Sequence, residues 1–352
     1  MTISSKEYFH LNLKKGVNPE IIISDKSFQK KLLLEFENLE RTPESSIDFF
    51  NFPLKDHMHQ VEIRDLLLSY EIIIDLLEKT DPEKYRIIHK GTPFYLLAMG
   101  ALMIGDFEKG VFFMDAALSE DKKNNFLDQP AELFLSLDFN DNDQAAYFIV
   151  MEIRKIMNEQ FKKLNIDGLE KMEIEDISYK LKTLLKQPQL RTLITSFISF
   201  IYEFKTNKRM ICLSGNSQGS AEPILLHLLK GCVLFESLLK NSEIGKAIKS
   251  TTSKTLKDYL NSKEIQRELK INQIQKSANF EGLNPYSWDD LIVKINKLNQ
   301  CPFNDRAIKT LWGTRNLIGH SIGWPKKPNS EEFEKIYMMI LASNLLCLMK
   351  LY

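Results

Sequence analysis

The chain is poor in several residue types that announce common chemistries. Its 352 residues include four cysteines, Cys212, Cys232, Cys301 and Cys347, and none forms a CxxC pair. That spacing excludes a zinc knuckle or a dithiol redox motif. Scattered thiols in helical surroundings fit a reducing compartment, where cysteine serves as a small hydrophobe. Charge of one sign is also lacking: 47 basic and 47 acidic side chains cancel. A chain-wide basic field for nucleic acid is therefore absent, and any RNA contact must be local. Long apolar runs are missing too. The longest, MMILASNLLCLM, is about a dozen residues, too short to span a bilayer. The opening stretch MTISSKEYFHLNLKKG has no apolar core of the secretory kind. These features predict a protein without membrane partners, resident in the cytoplasm.

What is present is helical periodicity. RDLLLSYEIIIDLLEK places Leu67, Tyr70, Ile74 and Leu77 on one stripe, and Asp81-Pro82 stops it. FYLLAMGALMI and EKGVFFMDAAL read as two short helices joined at Gly105-Asp106. AAYFIVMEIRKIMNEQFKKL follows the cluster NDND, and RTLITSFISFIYEF is long enough to be a buried helix rather than a strand. Convincing strands are scarce, so the predicted fold is all-α. The polar KTNKR and the turn-rich LSGNSQGSAEP place a domain boundary between about residues 205 and 222. This gives a helical domain over 1–205 and a second over 215–352. The later domain reads as ILLHLLKGCVLFESLLK, WDDLIVKINKLN, DRAIKTLWGTRNLIGH and a closing SEEFEKIYMMILASNLLCLMK. Asn329, with Glu332 three residues on, has capping-box spacing for that last helix, and Ser330 is the other candidate cap.

Two motifs compete for chemistry. GNSQG (Gly215 to Gly219) fits GxSxG, and Asp289 or Asp290 and then His320 follow in the order of a hydrolase triad. A nucleophile elbow needs a strand before it and a sheet beneath it. Residues 1–204 offer helices, so the stretch reads as a loop whose serines cap the next helix. The second motif is TRNLIGHS. Nine arginines and six histidines give roughly 0.15 chance pairs at a spacing of five. On an unbroken helix Arg315 and His320 would lie about 140° apart. Gly319 would let the backbone turn, so that His320 folds back beside Arg315. The alternative is that Arg315 meets an acidic surface partner and His320 favours a helix C-terminus.

RNLIGH resembles the Rx4–6H signature of HEPN-domain proteins, and the helix order across residues 215–352 is similar to their four- to five-helix bundle. The resemblance implies a metal-independent endoribonuclease without cofactor. It implies a homodimer through the C-terminal bundle, with a composite site at the interface, and a role in toxin-type or antiviral defence. Arg315 would hold the scissile phosphate. His320 would exchange protons with the 2′-hydroxyl or the leaving oxygen, and Asn316 would orient one of them. Glu236 and Lys240, four apart, read as a solvated helix pair; the resemblance adds them as candidate substrate-binding residues. Lys309 and Lys326, close to Arg315 in sequence, would build a cationic groove with Lys327.

The segment from Phe94 to Leu118, with Ala98, Ala101 and Ala117, resembles part of a tetratricopeptide repeat. That implies a repeat-like platform for a protein or ligand activator in the N-terminal half. No cysteine or third histidine joins His57 and His59, so these read as exposed rather than metal-binding. The competing functional class is a non-catalytic helical module for dimerisation, protein interaction or nucleotide binding.

Overall fold

A computed structural model describes residues 3–126, 129–139, 145–161, 173–214, 220–249, 255–271, 285, 287–320 and 328–352, the side chains of Ala145, Lys249 and His320 excepted. Among them every regular element is helical; the only β-type pairing is a bridge between Ser46 and His89. The all-α expectation holds. No helix among the described residues is long and apolar enough to cross a membrane.

The chain forms two compact units, residues 1–135 with 139–147, and residues 136–138 with 148–352. The division lies well before the composition break at 205–222. The reason is α12, which runs unbroken over Pro188–Ser214. Its polar KTNKR is a turn and more of that helix: Lys205, Thr206 and Arg209 face out, while Asn207 within the stretch and Ile211 beyond it are buried.

The first unit holds α1 (Ser5–Lys14), α2 (Pro19–Ser24), α3 (Lys26–Glu37), α4 (Phe52–His57), α5 (Ile63–Thr80), α6 (Pro82–Ile87), α7 (Gly91–Met103), α8 (Phe107–Lys123) and α9 (Pro130–Leu135). Leu67, Tyr70, Ile74 and Leu77 of α5 are all buried, as the stripe predicts. The α7–α8 pair is a close hairpin. Gly105 turns it at φ 83°, and a Cβ on Gly110 would sit 2.5 Å from Leu102. The small residues there allow the two backbones to approach.

The second unit holds most of α10 (Ala145–Phe161), then α11 (Ile174–Leu184), α12, α13 (Glu222–Asn241), α14 (Glu243–Lys249), α15 (Leu256–Leu260), α16 (Lys263–Glu268), α17 (Trp288–Lys297), α18 (Phe303–His320) and α19 (Ser330–Leu351). Helix α13 is central, packing on α12, α18 and α19. The start of α19 is fixed by Asn329 and Glu332, which form a reciprocal capping box. NDND and GNSQG lie outside the described residues.

Candidate functional site

The site is set by how closely α13 is held. Gly231 lies where a Cβ would come within 2.5 Å of Phe200 and 2.6 Å of Ile340. Only glycine lets α12 and α19 press on α13 at that depth. Asn344 Nδ2 then donates to the Gly231 carbonyl at 3.0 Å, fixing the register of α19. On the α18 side, the buried Cys232 thiol donates to the Leu311 carbonyl at 3.7 Å. Four residues further along each helix stand Glu236 and Arg315.

Arg315 Nη2 donates to Glu236 Oε2 at 3.2 Å, and Lys240 Nζ donates to Glu236 Oε1 at 2.5 Å. Three of the predicted site residues thus meet on one face. Glu236 is mostly covered, with 14% of its side chain exposed, whereas Arg315 keeps 39%. A guanidinium has five donors, so one carboxylate contact leaves others available to an anion. Asn316 beside it is half-buried and engaged in interactions of its own.

The structure does not form the expected turn at Gly319. Helix α18 continues through it to His320, which leaves positions 315 and 320 about 140° apart around the axis. Within one chain the helix therefore does not bring the two positions together. Gly319 is exposed, and a Cβ there meets nothing within 4 Å. The His320 side chain and all of Lys326 and Lys327 lie outside the described residues.

Lys309 does not join Arg315 either. It sits about 120° away around α18, 9% exposed, with Nζ 4.0 Å from Cys301 Sγ. Long helical side chains lean toward the helix N-terminus, which carries this amine back toward Cys301. The groove expected from Lys309 is corrected accordingly.

His57 is also corrected. It is buried at the end of α4, with Nε2 3.0 Å from His10 Nδ1 and Nδ1 3.3 Å from Gln60 Oε1. Burial lowers its pKa, helped by the second imidazole. It borders a cleft of about 390 Å³ in the first unit, shared with Lys14, Asn18, Gln60 and Asp65. Among the described residues no three His, Cys, Asp or Glu side chains group as metal ligands. The hydrolase order loses its support as well, because a helix, α12, precedes GNSQG.

A buried polar cluster escaped the sequence reading. His227 of α13 packs against both Phe200 and Tyr337, with ring centroids 4.8 and 5.7 Å away, and those two rings also touch each other. Its Nδ1 is 3.1 Å from Glu203 Oε2 of α12. Lys230 Nζ donates to Glu203 Oε1 at 2.8 Å and to Ser199 Oγ at 2.5 Å. Burial would raise the Glu203 carboxyl, but donors from His227, Lys230 and Ser199 bring it down to about 2. Burial lowers His227, partly countered by Glu203. The sequence signal was one histidine inside the apolar ILLHLLKG; its partner lies 24 residues away on another helix.

Compared with protein-family models, with curated proteins and with solved structures, the chain matches none.

Proposed function

We propose that the second unit is a metal-independent endoribonuclease of HEPN type, working as a homodimer. The observation that supports this most is the Arg315–Glu236–Lys240 group. It presents a partly exposed guanidinium, held in place, on the helix that also ends in His320. Arg315 would take the scissile phosphate and offset charge developing in the transition state. His320 would move the proton of the 2′-hydroxyl or of the leaving 5′-oxygen, and Asn316 would orient the phosphate or the imidazole. Because the two positions sit on different sides of α18, Arg315 of one protomer would work with His320 of its partner. The first unit would take the activator, and its cleft beside His57 offers a place for a small polar ligand. The setting proposed is toxin-type or antiviral defence in the cytoplasm.

The test is cleavage of total RNA in EDTA by wild type, Arg315→Ala and His320→Ala. The expected result is cutting by wild type alone. Equal cutting by all three, or none by wild type with the first unit removed or activated, defeats the reading.

A second reading is a non-catalytic dimerisation or nucleotide-binding module. It is favoured by the burial of Lys309, which removes one cation from the expected groove, and by the carboxylate already on Arg315. Under it, RNA stays intact while light scattering still reports a dimer.

A further inference from the structure

The four cysteines have contrasting surroundings. Cys232 and Cys347 are fully buried, and burial pushes both thiols upward, away from the reactive thiolate. Cys212 is exposed beside Ser330 Oγ at 3.4 Å. Cys301 differs from all three. It is half-buried, so a small oxidant reaches it, and an amine stands at its sulfur: Lys309 Nζ at 4.0 Å. Lys309 is more than nine-tenths covered. Among the described residues no carboxylate pairs with it, and the sulfur is its one hydrogen-bond partner. A lysine buried without a carboxylate is an uncommon arrangement, and its amine is aimed at a nucleophilic atom.

The geometry points to Cys301 and Lys309 as an oxidant-trapping pair, in which peroxide joins the two side chains by a covalent nitrogen–sulfur bond. The Cys301 thiolate attacks peroxide, the O–O bond breaks, and sulfur is left as a sulfenic acid while hydroxide departs. Lys309 gives up a proton to that hydroxide and attacks the sulfur with its nitrogen lone pair. The S–O bond breaks, and the hydroxyl leaves as water with the nitrogen's second proton. In sum, one thiol, one amine and one hydrogen peroxide give one sulfenamide and two waters. Sulfur is oxidised by two electrons and peroxide is reduced by two. Sulfenic acids condense in this way with nearby nitrogen, and thiols reverse the product. The flexible lysine stem closes the remaining distance. The bond would tie the start of α18 to its own second turn, on the helix that carries Arg315. The proposal does not rest on the nuclease reading.

The experiment treats the full-length protein with hydrogen peroxide and follows peptides by mass spectrometry, with Cys212 as internal control. The expected product is a linked pair of peptides containing Cys301 and Lys309, lighter by two hydrogens than their sum and released by dithiothreitol. It should vanish in Cys301→Ser, in Lys309→Met and in Lys309→Arg. In the lysine variants Cys301 should instead be captured by dimedone as a sulfenic acid. If wild-type Cys301 is captured as readily as in those variants, or passes to sulfinic acid alongside Cys212 with no linked peptides, the pair does not trap oxidant. Because the wild-type result alone can overturn the proposal, misfolding of a variant does not shield it.

Discussion

Arg315 Nη2 lies 3.2 Å from Glu236 Oε2, and the other oxygen of that carboxylate is taken by Lys240. The ion pair links α18 to α13 and aims a guanidinium that remains more than a third exposed. Removing it should therefore separate stability from function. Arg315→Ala should cost at most about 1 kcal/mol of unfolding free energy, as partly exposed pairs do, since Lys240 still neutralises Glu236. On the proposed nuclease reading, RNA cleavage should fall about a hundredfold or more, the usual loss of a transition-state cation contact. Glu236→Gln, which keeps shape but not charge, should give a smaller loss. Urea unfolding and initial cleavage rates measure the two effects. A large stability loss with proportionate activity loss would make Arg315 a structural residue.

Two glycines of the second unit should respond with opposite sign. A methyl at Gly231 collides with the buried rings and methyls of Phe200 and Ile340, so Gly231→Ala should destabilise by about 1–3 kcal/mol. A methyl at Gly319 meets nothing, and the backbone there is already helical. Gly319→Ala should stabilise by a few tenths of a kcal/mol, up to about 1, and should leave RNA cleavage intact. On the proposed nuclease reading, loss of cleavage in Gly319→Ala would show that α18 bends at this glycine during the reaction.

These contrasts bear on what the sequence could reveal. Stripes such as that of α5 were legible because helix period and burial come from the same residues. The ends of α5 and α19 were legible because Asp81-Pro82 and the Asn329–Glu332 box act locally. The unit boundary was not. KTNKR has the composition of a linker, yet it lies within a helix, with Lys205, Thr206 and Arg209 exposed and Asn207 and Ile211 buried. The pairing of Glu236 with Arg315 depends on a contact between residues 79 apart. No local pattern encodes that distance. The same holds for Glu203 and His227, and for Cys301 with Lys309. The glycine in RNLIGH has the freedom to turn, but helix propagation wins there, because freedom permits a turn without requiring one.

The Glu203–His227 pair should make the second unit acid-sensitive in two steps. His227 is lowered in the fold, so below about pH 6.5 the unfolded chain takes up a proton that the folded one refuses. Stability present above that pH is lost as pH falls. Glu203, held at about 2 against an ordinary 4.5, adds stability that is complete above about pH 4.5 and lost as pH falls toward 2; the amount is about 1–3 kcal/mol. Both steps have the same sign. His57 contributes to the first step in the other unit, so wild type should be compared with His227→Phe, which keeps an aromatic side chain packed on Phe200 and Tyr337. The wild-type urea midpoint should fall more steeply between pH 7.5 and 5.5 than the variant's. Equal slopes would mean that His227 is not held neutral.

The 140° between positions 315 and 320 yields the sharpest test of a shared site. If Arg315 of one protomer works with His320 of the other, Arg315→Ala and His320→Ala homodimers are each dead at both sites. Their heterodimer is not. The His320→Ala chain supplies an arginine and the Arg315→Ala chain a histidine, so one of two symmetric sites is complete. Random exchange after mixing makes about half the dimers mixed, which restores about one quarter of wild-type cleavage. The two variants should be purified with different tags, mixed, unfolded and refolded together, and assayed in EDTA. Recovery near a quarter, absent when each is refolded alone, requires the guanidinium and imidazole to come from different chains. No recovery, from a mixture that light scattering shows to be dimeric, would mean that each motif works within its own chain, and α18 would then have to break before His320.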